Sequence, residues 1–589
     1  MAIENLITDH LDLWTAAVRP KSSAGRGSNS KLDLTGIKKL RELILELAVR
    51  GKLVPQDPSD EPASVLLERI TAEKTRLVKE GKIKKPKALP EIGEEEKPFE
   101  LPDGWEWSML AEIAEINPRN ESDDTVDASF VPMSLISTAY NGQHEFEARK
   151  WGEIKKGFTH FSNGDIGIAK ITPCFENSKA AVFRGLINGI GAGTTELHIA
   201  RPYTDYVSAF FILLNIKSPI YLKKGEAGMT GTAGQKRLAK DFFSFYPLPI
   251  PPFAEQHRIV AKVDELMALC DQLELQSEAQ LAAQQTLVEV LLATLTDSAD
   301  ADELAQNWAR LSTHFDTLFT TEASIEALKQ TILQLAVMGK LVPQDPSDEP
   351  ASALLARIVA EKAQLVKEKK IKKEKQLPVI SEDEKSFEIP HGWVWVKFGE
   401  LSEFINGDRS KNYPNKNEYV AQGMPWINTG HIEPSGILTS SDMNFITKEK
   451  FDSLRSGKII ETDIVYCLRG ATFGKTAFVT PYKEGAIASS LMIIRPYNIS
   501  LREFIYIYLI SPFGRAQIFR FDNGSAQPNL SANSVMMYAF PCPPISEQHR
   551  IVAKVDELMT LCDQLKSRLQ TSQQTQLALA ESLVAGVLA

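Results

Sequence analysis

The chain is poor in residues that build covalent or metal-bound frameworks: its 589 residues include five cysteines, Cys174, Cys270, Cys467, Cys542 and Cys562, and nine histidines. No two cysteines stand in a C-x-x-C spacing, so neither a disulfide framework nor a zinc site is expected, and a reducing compartment suits the thiols. No apolar run is long enough to span a bilayer, and the start, MAIENLITDHLDLW, lacks the basic-then-apolar order of a secretory signal. A cytoplasmic protein without a membrane span is expected. An excess of positive charge is missing too: 66 Lys and Arg face 76 Asp and Glu, for a net charge of -10. That excludes a protein that coats nucleic acid through bulk charge.

Catalytic signatures fail residue by residue. GATFGKT at 470–476 places three residues between its glycines, where a phosphate-binding loop needs four, and its flanks DIVYCLRG and AFVT read as strand, turn, strand. IPPF at 250–253 lacks the polar first residue with which amino-methyltransferases hold a target amine, and the matching segment reads CPPI. No glycine-rich S-adenosylmethionine fingerprint, metal-spaced histidine cluster or serine elbow accompanies them. The chain is expected to catalyse nothing and to bind no cofactor or metal.

What the chain does have is a second copy of itself. GKLVPQDPSDEPAS at 51–64 recurs unchanged at 339–352, and PFELPDGWEW ending at Trp107 corresponds to SFEIPHGWVW ending at Trp395. EQHRIVAKVDELM runs from Glu255 to Met267 and again from Glu547 to Met559. Between these blocks lie inserts of about 150 residues that barely resemble one another. The order implies an N-terminal helical arm at 1–103, a variable domain at 104–250, a central helical region at 251–392, a second variable domain at 393–544 and a C-terminal helix at 545–589. A near-identical frame with divergent inserts suggests one scaffold presenting two different recognition surfaces. A two-headed protein-binding adaptor would share this pattern.

After the paired prolines, Ile259, Val263, Leu266, Cys270 and Leu273 alternate at spacings of four and three, as do Ile551, Val555, Leu558, Cys562, Leu565 and Leu569, continued by Leu579 and Leu583. These are coiled-coil seams, with the two cysteines packing as small hydrophobes. His257 and His549 are expected to make polar contacts at the helix starts. Shorter helical stripes, Ile37, Leu40, Ile44, Leu47 and Ile325, Leu328, Ile332, Leu335, precede each VPQDPSDEP turn, which opens another helix. The Lys-rich tracts KEGKIKKPK from Lys79 and KEKKIKKEK from Lys367 read as solvated helix ends, KSSAGRGSNS at 21–30 reads as a linker, and the path through 296–302 is open.

The variable segments mix β-branched runs with Gly, Asn and Pro turns, such as GDIGIAKI, KAAVF and LMIIRPY, and read as compact mixed α/β domains. Each ends in a Gly-rich, Gln-containing loop: GMTGTAGQKRL from Gly228 and GSAQPNL from Gly524. Glycine lets a backbone come close to a partner; Gln and Asn can bond an adenine edge, and Arg or Lys a guanine edge. The candidate DNA-binding residues are therefore Gln235, Lys236, Arg237, Arg469, Lys475, Gln527 and Asn529.

Taken together, PLPIPPFAEQHRIVAKVDEL with FPCPPISEQHRIVAKVDEL, and the GDI and TDI strands leading to TTELHIARP and ASSLMIIRP, resemble the specificity subunit of type I restriction-modification enzymes. The GKLVPQDP arms resemble its IB class. The resemblance covers nearly the whole chain and implies two α/β target-recognition domains separated by long conserved helices that form an antiparallel coiled coil, a tandem repeat with a pseudo-two-fold. It further implies a non-catalytic subunit that recognises an asymmetric, bipartite target in double-stranded DNA. Its implied partners are two modification (methyltransferase) subunits and two restriction (ATP-dependent translocase and nuclease) subunits. S-adenosylmethionine, ATP and Mg would be bound by those partners.

Overall fold

The computed structural model describes residues 3–20, 32–83, 88–232, 234–299, 301–371, 376–470, 472–521 and 530–588. The linker at 21–30, most of the ends of both Lys-rich tracts, Gln527 and Asn529 lie outside the described residues. The chain divides into two units, Met1–Gln280 with Ser572–Ala589, and Leu281–Thr571.

Each repeated arm folds as its periodicity demands. Ile37, Leu40, Ile44 and Leu47 are buried along helix Thr35–Val49, and their counterparts Ile325, Leu328, Ile332 and Leu335 along helix Glu322–Val337. Both helices end at a glycine with positive φ, Gly51 at 66° and Gly339 at 72°. A Cβ there would come within 2.5 Å of Pro102 or Pro390, so the repeated glycine is needed for the turn and for the close approach of the following segment. The Pro-rich turn then opens helix Ala63–Lys79 in one unit and Ala351–Lys367 in the other. Past these helices, Lys82 pairs with Glu80 and Lys370 with Glu368, each at 2.8 Å, as solvated ends.

The variable segments share a topology that their sequences hide. In the first unit one sheet has the order Glu147–Lys150, Asp127–Val131, Ile190–Gly193, Thr159–Ser162, with its two middle strands parallel. The other, antiparallel throughout, has the order Ala114–Ile116, Leu197–Pro202, Ile166–Ala169, Ala180–Val182. A ribbon of Glu106–Met109 with Pro247–Ile250 joins the ends of the insert. The second unit repeats this order: Asn444–Ile446, Met424–Ile427, Glu484–Ile487, Lys458–Ile460; then Ser402–Asn406, Leu491–Pro496, Ile464–Cys467, Thr476–Phe478; then the ribbon Val394–Lys397 with Ala539–Cys542. GATFGKT accordingly belongs to a hairpin, since Tyr466 lies opposite Thr476. Each domain also keeps one buried ion pair. Asp165 of GDI takes the Arg201 guanidinium at 2.7 Å and the Ser162 amide at 2.8 Å; Asp463 of TDI takes Arg495 at 2.8 Å and the Ile460 amide at 2.8 Å. A carboxylate buried this deeply requires such partners.

The three repeated blocks meet at one carboxylate in each unit. Glu255, 1% exposed, accepts a hydrogen bond from Trp105 Nε1 at 3.0 Å and another from Gln56 Nε2 at 2.8 Å. Arg258, one turn on, pairs with Asp60 at 2.7 Å. The copy is faithful: Glu547 accepts from Trp393 at 2.9 Å and Gln344 at 2.7 Å, and Arg550 pairs with Asp348 at 2.6 Å. The polar contact at the helix start is made by the neighbour of the expected histidine. Gln256 Nε2 donates to the Pro251 carbonyl at 3.0 Å and Gln548 Nε2 to that of Pro543 at 2.8 Å, while His257 and His549 are exposed. The backbone amides of Gln256 and Gln548 bond the Pro252 and Pro544 carbonyls, and their side chains reach back to the carbonyls one residue earlier.

Helices Phe253–Asp297 and Ile545–Leu588 carry the seams. Ile259, Val263, Leu266, Cys270, Ile551, Val555 and Cys562 are buried; Leu273, Leu558, Leu565 and Leu569 are half-buried. Each unit holds the start of one long helix together with the end of the other, and each adds its arm helix to the seam. In the first unit Arg41 meets Asp271 and Glu274, both at 2.6 Å. In the second, Lys566 meets Glu322 at 3.2 Å, and Val288 and Leu292 share a core with Ile332, Val555 and Cys562. Burial pushes the Cys270 and Cys562 thiols up to about 11, in keeping with packing rather than reactivity. The continuation of the stripe differs from the sequence pattern: Leu579 is 54% exposed, and Leu577 and Ala580 are buried instead. The polar run at 570–576 interrupts the heptad, and a helix of 3.6 residues per turn drifts off a 3.5-residue register. At 296–302 the long helix stops at Asp297 and a new helix, Ala301–Thr313, begins.

Burial pushes the Glu255 and Glu547 carboxyls above the ordinary glutamate value, against the lowering effect of their tryptophan and glutamine donors. The unfolded chain therefore loses these protons first. The corresponding stability is complete below the unfolded-state pKa and is lost as pH rises through the native one. Glu255→Gln loses one of two accepted hydrogen bonds and should destabilise by about 1–3 kcal/mol. Native-state hydrogen exchange of residues 51–64 should show that deficit, larger at about pH 4 than at about pH 7.5; an equal or reversed dependence contradicts the assignment.

Candidate nucleic-acid interface

In the first domain, strands Ile166–Ala169 and Ala180–Val182 are joined by a turn at 170–179, and the Gly-rich loop folds onto it. Leu238 N donates to Lys170 O at 2.7 Å, Thr172 N to Lys236 O at 3.0 Å, and Lys236 N to Thr172 Oγ1 at 3.1 Å. The loop also pairs with itself, Arg237 N donating to Thr230 O at 2.8 Å. Beneath it, burial holds the His198 imidazole below its ordinary value, and its Nε2 lies 3.1 Å from Leu238 O. The far end of the turn rests on Lys217, whose Nζ donates to Ser178 O at 2.7 Å and whose burial pushes it down to about 7.

These contacts leave Gln235, Lys236 and Arg237 exposed on one small platform. They are not equivalent. Arg237 is held by Glu196, Nη2 to Oε1 at 2.9 Å and Nε to Oε2 at 3.0 Å, and this bond keeps the Glu196 carboxyl below its usual range. Among the described residues, Gln235 and Lys236 have no such side-chain restraint and are the freer pair. Glu196 and Lys170 were not singled out by motif; only the fold brings TTEL beside the Gly-rich loop.

The second domain builds the corresponding place from different residues. Leu468 N donates to Ser490 O at 2.9 Å, as Lys170 N does to Glu196 O at 2.9 Å, and Leu530 N donates to Leu468 O at 3.2 Å, as Leu238 N does to Lys170 O. Arg469 and Lys475 are exposed on the turn between the strands, so the sequence-derived pair falls on one hairpin. Gln527 and Asn529 lie outside the described residues; Leu530, which follows them, joins the same hairpin. Cys467, at the base of the turn, is buried, and burial pushes its thiol up. Among the described residues, the arrangement offers exposed amide and cationic side chains in the first domain and exposed cationic ones in the second, suited to hydrogen bonding with base edges and phosphates. Among the described residues, no group of three or more His, Cys, Asp or Glu is placed to hold a metal ion, and no helix is long and apolar enough to cross a membrane.

Residues 102–283 and 390–572 match the type I restriction modification DNA specificity domain. The chain is 55% identical to the type I restriction enzyme EcoAI specificity subunit of Escherichia coli over 99% of both chains. It is 52% identical to the EcoEI specificity subunit of Escherichia coli, again over 99% of both. A solved structure described under the complex assembly and conformational transition of the type I R-M system shares the fold, with a TM-score of 0.50 at 18% identity, covering 83% of this chain and 99% of that one. With two matched domains over more than half its length and relatives similar from end to end, the chain belongs to the specificity-subunit family of type I restriction-modification systems.

Proposed function

We propose that this chain selects the DNA on which a type I restriction-modification complex acts, each variable domain reading one half of an asymmetric, bipartite target. The carrying observation is that two domains with the same strand order and the same buried Asp–Arg pair present different side chains at matching positions of the same turn: Lys170, Ile171 and Glu196 in one, Leu468, Arg469 and Ser490 in the other. A shared fold with exchanged loop residues is what two readers of different sequence require. The repeated helical frame holds two modification (methyltransferase) subunits and two restriction subunits in the cytoplasm. Those partners bring S-adenosylmethionine, ATP and Mg; the chain itself contributes recognition. The GKLVPQDP arms support a place in the IB class. The functional segments are 104–250 and 393–544, framed by 1–103, 251–392 and 545–589, and the base-facing set includes Gln235, Lys236, Gln527 and Asn529.

The direct test is selection from a randomised duplex library by the chain assembled with its methyltransferase partner. Two short sequence blocks at one fixed separation should be enriched; a retained pool with no sequence preference contradicts the proposal. At finer scale, Gln235→Ala should relax the preference at one base pair of one block by about tenfold, the order of a lost bidentate base contact at ~1–3 kcal/mol. Unchanged preference at every position of both blocks would remove Gln235 from the reading set.

A further inference from the structure

A second cationic feature of the second domain was not marked by any motif. Asp408 is 1% exposed and draws two loops together: Ser410 N donates to its Oδ1 at 2.6 Å, and Arg455 N to its Oδ2 at 2.5 Å. Asn412 Nδ2 donates to Ser453 O at 2.8 Å and Ser456 Oγ to Asn406 O at 3.0 Å, stitching the same loops on either side. Burial alone would push the Asp408 carboxyl up, but the hydrogen bonds from Ser410, Arg455 and Ser456 outweigh it and keep it below its usual range. Its charge is therefore spent inside the joint.

Three cations point outward from that joint. Arg409, Lys411 and Arg455 are exposed, and among the described residues none of them forms an ion pair. On the neighbouring helix Lys448–Ser453, Asp452 has other company, lying 3.4 Å from Lys448. In the first domain, two cations on the corresponding loops have partners, Arg119 donating to Phe158 O at 3.2 Å and Lys155 pairing with Asp124, while Lys156 is exposed beside them.

The joint is also pressed against the candidate interface. A Cβ on Gly407 would lie 2.4 Å from Ala488 O, and Gly457, at φ 77°, would carry one 2.9 Å from Gly407 Cα. Gly457 O accepts from Ile487 N at 2.9 Å. The turn at 488–491 thus has the Asp408 joint on one side and, through Ser490 O, Leu468 and Arg469 on the other.

Resting on the reading of this chain as a DNA-selecting subunit, we infer that Arg409, Lys411 and Arg455 form a preorganised phosphate clamp, gripping the DNA backbone beside the bases read by the second domain. Exposed, unpaired cations on a rigid joint suit backbone phosphates, which fix register and carry no sequence information.

The test measures affinity of the full chain with its methyltransferase partner for its selected duplex from about 50 to about 300 mM salt, comparing wild type with the triple variant Arg409→Gln, Lys411→Gln, Arg455→Gln. Each phosphate contact contributes about 0.9 to the slope of log K against log salt, so the triple should be shallower by about 2.7 and bind less tightly, with base preference in both blocks unchanged. Melting by circular dichroism checks the fold. Should the triple be unfolded, the three single variants carry the test, each with a slope reduced by about 0.9. A wild-type slope retained in the variants overturns the clamp and leaves the selecting function intact. A wild type with no sequence preference overturns both.

Discussion

Everything in each unit is oriented by one buried carboxylate. Glu255 and Glu547 stand on the first turn of the long helices, and each is reached by a tryptophan from the start of the variable domain and a glutamine from the arm. Burying such a group without partners costs several kcal/mol, so the helix, the arm and the domain must arrive together or the site is unfavourable. This makes the joint a condition of assembly and explains why its three segments are the ones written twice. The ion pairs Arg258–Asp60 and Arg550–Asp348 add a second tie between arm and helix.

The joint frees the rest of each variable segment to differ. Between Trp105 and Glu255 the domain is held at its ends by the ribbon of Glu106–Met109 with Pro247–Ile250, and inside by the Asp165–Arg201 pair. Nothing in that support involves the side chains at the tips of the turns. The first domain can therefore pair its exposed Arg237 with Glu196 while the second leaves Arg409, Lys411, Arg455, Arg469 and Lys475 exposed and without an ion pair among the described residues, without either choice altering the frame. Two surfaces of different chemistry on one scaffold follow from where the stabilising contacts are.

The frame was legible because its signals are local and repeated. Heptad spacing gave a stripe that is buried or half-buried down to Leu569, the shorter helical stripes and the Pro-rich turn gave the arms, and the strand-like flanks of GATFGKT gave a hairpin. The Leu579 position was misread because the stripe was extended across a polar run where helical drift outweighs a heptad count. His257 was preferred to Gln256 because the type of residue was visible and its direction on the helix was not. Within the variable domains, the Gly-rich loops and GDI strands could be found by pattern. The Glu196–Arg237 pair and the Asp408 joint could not, since each joins residues about forty positions or more apart whose meeting depends on strand pairing. The common topology of the two inserts was also invisible residue by residue, because their shared core is set by polarity and size rather than identity.

The central claim is that a constant frame presents two independent readers. Exchanging residues 105–250 for the matching segment of a relative, while retaining Glu255, Gln56 and Arg258, tests it most directly when the modified bases are mapped by methylome sequencing in cells that carry the complex. The account predicts that one block of the target changes to that of the donor, with the other block kept. A change in both blocks, or in neither, would contradict it.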